Sequence, residues 1–98
     1  MDRIKDKVAI VTACTRGIGR AIADRFAEEG AIVYMAVRRM DAGQEIADAH
    51  NALGRRVKAV YFDGDILETI EPMVNQVYEA EGRIDILVLS LIHISEPT

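Results

Sequence analysis

The chain has 98 residues, half of them hydrophobic and 29% charged, with a formal net charge of -4 and a single cysteine. That composition excludes disordered, collagenous and low-complexity classes, and the length allows one modest core. The acidic balance gives no basic field for nucleic acid or anionic membrane, because the basic clusters at Arg38-Arg39 and from Arg55 are short. Lone Cys14 fits a reducing compartment. The N-terminus lacks a signal-peptide pattern, and no apolar run approaches the ~20 residues of a membrane span, so a cytoplasmic protein is expected.

In chain order, Val8 to Thr12 is β-branched and continuously apolar, as suits a strand covered on both faces. Next comes a stretch with Ile18, Ile22 and Phe26 at helical spacing, predicting an amphipathic helix that stops at Gly30. Ala31 to Val37 repeats the apolar strand pattern. Asp41 and Gln44 have capping-box spacing at the start of a second helix, whose inward residues are predicted as Ile46, Ala49 and Leu53. Val57 to Phe62 predicts a third strand. A third helix is expected from near Thr69 to Gly82, with Pro72 tolerated in its first turn and Ile70, Val74, Val77 and Tyr78 as its apolar stripe. Ile84 to Val88 predicts a fourth strand. Strands alternating with helices imply an α/β fold, a doubly wound parallel sheet with right-handed crossovers.

The first strand-to-helix turn, Thr12 to Gly19, reads T-A-C-T-R-G-I-G. The first amides of the following helix have no intrahelical partner, and the helix dipole adds positive potential there. Gly17 permits close backbone approach to an anion, and Gly19 permits close helix–strand packing. The turn therefore reads as a pyrophosphate seat of a Rossmann-type dinucleotide-binding unit. A flavin is disfavoured, because the spacing is not G-x-G-x-x-G. An NAD-selective site places a carboxylate at the end of the second strand, where this chain has Arg38 and Arg39. A guanidinium there can grip a 2′-phosphate, with Arg16 approaching from the turn, so NADP is expected over NAD.

These motifs, with Asp63 after the third strand and G-R-I-D-I-L-V from Gly82, resemble the N-terminal part of the short-chain dehydrogenase/reductase family from Lys5 to Val88. The family turn is T-G-x-x-x-G-x-G. Thr12, Gly17 and Gly19 match it, while Ala13 stands at its first glycine and implies a shifted loop. Within the resemblance, Asp63, followed by Gly64, matches the Asp that contacts adenine, and Asp65 is a rival for that role. The implied cofactor-binding set is Ala13, Thr15, Arg16, Gly17, Ile18, Gly19, Arg38, Arg39, Asp63 and Gly64. The non-Gly turn and the G-A-I-V-Y-M-A-V-R-R segment look most like a subgroup of bacterial NADP-dependent 7α-hydroxysteroid dehydrogenases.

The resemblance implies hydride transfer between NADP(H) and a secondary alcohol or ketone, a small-molecule substrate, and a homotetrameric or homodimeric full-length protein. The alternative is a non-catalytic NADP-binding sensor. The family's catalytic Ser and Y-x-x-x-K pair have no counterpart: Arg38, Asp65 and Gly82 stand four residues after Tyr34, Tyr61 and Tyr78. In place of the family's N-N-A-G, Leu89 to Thr98 reads LSLIHISEPT, which resembles translated sequencing-adapter sequence. Residues 1–88 are thus expected to be the dinucleotide-binding part of a truncated chain, and residues 89–98 a non-native tail. The polypeptide alone is expected to be marginally stable, aggregation-prone and inactive, with its fourth strand left as an edge. No metal site is expected from one Cys and two unrelated His, and His50 is expected at the surface or its boundary.

Overall fold

The computed structural model describes residues 4–12 and 17–89. Within them β1 (Val8–Thr12), α1 (Gly17–Glu28), β2 (Ile32–Val37), α2 (Met40–Ala52), β3 (Arg56–Tyr61), a 3-10 turn (Leu67–Thr69), α3 (Ile70–Glu81) and β4 (Ile86–Val88) follow one another. The strands form one sheet in the order β3-β2-β1-β4. Every pairing is parallel, with Ile10 opposite both Tyr34 and Leu87, and Val37 opposite Tyr61. This is the doubly wound arrangement expected from the alternation.

The sheet has an apolar layer on each side. On one, α1 and α2 lay Ala23, Ala27 and Ala47 against Val11, Val33, Met35 and Val57. On the other, α3 lays Met73 and Val77 against Val8, Ile10, Tyr34, Ala36 and Val60. The central strands are buried on both faces, which explains their unbroken apolar runs. Tyr34 takes its ring into the second layer while its hydroxyl donates to Glu81 Oε2 at 2.6 Å. Burial, together with that bond, pushes the Tyr34 phenol well above its ordinary range.

α1 and α2 meet the sheet through smaller residues than their sequence pattern selects, whereas α3 does so through Met73 and the expected Val77. Ile18 is 75% exposed, and Leu53 and Tyr78 are also exposed, while Ala23, Ala27, Gly43, Ala47, Met73 and Val77 are the buried positions. Ile22, Phe26, Ile46, Ile70 and Val74 flank those contacts, half-buried. The inward stripe of α2 is thus Gly43, Ala47 and His50 with Ile46 beside them; Ala49 and Leu53 face out. A Cβ built on Gly43 would meet Val37 Cγ2 at 2.6 Å, so α2 rides too close to β2 for any side chain there.

His50 is buried rather than superficial. Its Nε2 lies 2.7 Å from Asp24 Oδ1 and its Nδ1 lies 3.3 Å from Arg55 Nη1. Arginine can only donate, so Nδ1 accepts and the Nε2 proton goes to Asp24. This polar bridge joins α1 to α2, which is why the histidine tolerates burial. Burial pushes the Asp24 carboxyl up, but hydrogen bonds from His50 and Arg20 outweigh it and hold it below the usual carboxylate range.

The capping box does not form. Arg39 is the N-cap of α2 and makes no side-chain cap bond; Asp41 sits in the first turn, and Gln44 donates to Asp48 Oδ1 at 2.9 Å. At the far end, Asn51 grips β3 with both ends of its amide: Nδ2 donates to Val57 O at 2.9 Å, and Val57 N donates to Oδ1 at 3.0 Å.

Candidate cofactor site

The site lies where β1, β2 and β3 end, all at the carboxyl edge of the sheet. In an open parallel sheet such an edge is where ligands bind, in the crevice between a strand and the helix that follows it. Gly17 opens α1 at φ +72°, and among the described residues nothing lies within 4 Å of the Cβ position it lacks. Its positive φ is a conformation that suits glycine. Ile18 projects into solvent and Gly19 is half-buried on the same turn. The first turn of α1 contains no acidic residue, so nothing there competes with an anion for the exposed amides. Thr12 is buried and its hydroxyl donates to Val88 O at 3.3 Å, tying β1 to β4 at this edge.

Arg38 follows the last residue of β2, and its guanidinium reaches across to the segment after β3. Nη1 lies 4.0 Å from Asp63 Oδ1 and 3.4 Å from Asp65 Oδ2. Arg39 turns the other way, to Asp41 Oδ2 at 3.4 Å. The next residues form a tight turn: Ile66 N donates to Asp63 O at 2.9 Å, and Asp65 N donates to Asp63 Oδ1 at 2.9 Å. Gly64 occupies the bend. Thr69 closes the turn from the helix side, its hydroxyl accepting from Asp63 N at 3.0 Å and lying within hydrogen-bonding reach of Asp63 O and Ile66 O. Asp63 is buried while Asp65 stands in solvent.

Arg38, Asp63 and Gly64 therefore share one corner of the carboxyl edge, and Gly17, Ile18 and Gly19 line the neighbouring one. Ala13, Thr15 and Arg16, with Cys14, lie outside the described residues, as do residues 90–98. The sequence reading missed Thr69 and the Arg38–Asp65 pair. Thr69 stands at a helix start, where such residues hold turns, but its partner six residues upstream leaves no local signal. Among the described residues, no group of three His, Cys, Asp or Glu could hold a metal ion, and no helix is long and apolar enough to cross a membrane.

The donor set at this edge suits a nicotinamide dinucleotide: open glycine backbone for a diphosphate, a cation after β2 and a buried carboxylate after β3. The sequence matches the short chain dehydrogenase family over residues 7–90, and the chain belongs to that family of oxidoreductases. It is 47% identical over 88 residues to a 7alpha-hydroxysteroid dehydrogenase of Paraclostridium sordellii and 51% identical to one of Clostridium sardiniense. Each alignment takes in 90% of this chain and 33% or 34% of the relative, so the chain spans about a third of their length. The crystal structure of a short chain dehydrogenase/reductase from Burkholderia phymatum in complex with NAD superposes with a TM-score of 0.80 at 28% identity, covering 89% of this chain and 31% of that one. Family and fold together indicate a nicotinamide cofactor.

Proposed function

We propose that residues 1–88 are the NADP(H)-binding part of an oxidoreductase that moves hydride between the nicotinamide and a secondary alcohol or ketone, with a hydroxysteroid as the substrate class. The substrate class rests on the printed activity of the two clostridial relatives. The cofactor choice rests on one observation: a guanidinium, and no carboxylate, immediately follows β2. A 2′-phosphate gains charge-assisted hydrogen bonds from Arg38 that a ribose hydroxyl cannot match.

On this reading Ala13, Thr15, Arg16, Gly17, Ile18 and Gly19 cradle the diphosphate, and Arg38 meets the 2′-phosphate, with Arg39 joining it by leaving Asp41. Asp63 and Gly64 border the adenine. The bound nicotinamide supplies the hydride chemistry, and this segment supplies orientation and cofactor choice. No tyrosine here has a lysine four residues on, so the 98-residue chain alone turns over no substrate. The full-length protein is proposed to be cytoplasmic and homo-oligomeric.

The test is Arg38→Asp, with NADP+ and NAD+ affinities measured side by side. Losing a charge-assisted contact of about 1.5–3 kcal/mol weakens NADP+ roughly ten- to a hundredfold and leaves NAD+ little changed. Unchanged affinity for both would end the reading.

A further inference from the structure

Arg38 is already engaged. Its guanidinium faces two carboxylates, Asp63 at 4.0 Å and Asp65 at 3.4 Å, so an incoming anion meets acidic side chains already on its cation. The two acids differ in kind. Asp63 is buried and spends an oxygen on the Asp65 amide, holding the turn together. Asp65 projects a carboxylate into solvent at the same guanidinium, and its backbone position is fixed by that amide bond and by the Thr69 hydroxyl behind the turn.

We infer that Asp65 is a specificity-determining residue that competes with a cofactor's 2′-phosphate for Arg38 and so restrains the preference for NADP over NAD. The inference rests on the proposed reading of Arg38. A 2′-phosphomonoester brings a charge near -2 and must both displace the Asp65 carboxylate and tolerate it nearby. A 2′-hydroxyl meets neither penalty, and a carboxylate at this rim is an acceptor for it. Asp65 thus acts oppositely on the two cofactors, and it is the backbone amide of Asp65 that donates to Asp63 Oδ1 in the turn.

The experiment is isothermal titration of the 98-residue chain with 2′,5′-ADP and with 5′-AMP at fixed ionic strength, for wild type, Asp65→Asn and Arg38→Ala. Asp65→Asn keeps the shape and the backbone amide. It raises the 2′,5′-ADP over 5′-AMP affinity ratio roughly two- to fivefold, the scale of an exposed ion pair. Arg38→Ala abolishes the wild-type preference. If wild type prefers 2′,5′-ADP, Arg38→Ala removes that preference and Asp65→Asn leaves the ratio unchanged or lowers it, the inference about Asp65 is overturned and the NADP reading stands. If wild type binds both nucleotides with no preference, the NADP reading falls and the inference goes with it.

Discussion

The two outer strands of the sheet are finished differently. β3 has α2 against it, buries Val57 and Val60, and is stitched to the end of α2 by the Asn51 amide. β4 is three residues long, none fully buried, with Leu87 48% exposed on the α3 side beside Ile10. Its start is tied to β1 by Asp85, whose carboxylate accepts from Val8 N at 2.9 Å and whose amide donates to Val8 O at 2.9 Å. One edge is closed by apolar packing and a neutral amide; the other is held by a charged clamp with its apolar side chain in water. Edge stability here comes from what a strand's neighbours bury, since both edges have the same parallel pairing.

Truncating the apolar residues sets the two edges furthest apart. Val60→Ala removes a fully buried side chain and lowers stability by about 1.5–3 kcal/mol, whereas Leu87→Ala changes it by no more than about 0.5 kcal/mol. Equal losses in urea titrations would erase the distinction. Next in size is Asn51→Ala, which strands the amide and carbonyl of Val57 and costs about 1–3 kcal/mol, read by hydrogen exchange as faster opening of β3 with β4 unchanged. Gly43→Ala pits a helix-propensity gain of about 1 kcal/mol against overpacking of about 1–3 kcal/mol on Val37, giving a net loss by thermal denaturation.

The smallest effect is the pH response. The bond from Val8 N, opposed by desolvation and aided by Arg83, holds the Asp85 carboxyl below its ordinary value of 3.8. A depressed carboxyl stabilises the fold above its unfolded pKa, and that contribution disappears as pH falls through the lowered one. Hydrogen exchange at β4 therefore quickens in acid below about pH 4, while the Asn51 stitch on β3 is indifferent. Asp85→Asn flattens the response; an unaltered acid profile would sever the clamp from it.

Strand spans and helix limits were legible because apolar runs and glycine stops are local signals. The four strands lie within two residues of their expected spans at either end. The inward helix faces were not legible in the same way. Periodicity weights large side chains, so it selects Ile18, Leu53 and Tyr78, yet a helix lying close on a strand is admitted by Ala23, Ala27, Gly43 and Ala47. Arg38 and Asp63 could be named individually from their places after β2 and β3. Their meeting, and Asp65 beside them, depends on the register that sets Val37 opposite Tyr61.

The missing side chain at Gly43 reaches further than packing. Val37, the atom set it abuts, is the residue directly before Arg38, so the gap between α2 and β2 acts as a ruler for where residue 38 begins. On the proposed reading of Arg38, exchange at 38 is therefore conditional on the spacer at 43: the same replacement, made over a larger residue there, starts from a displaced backbone.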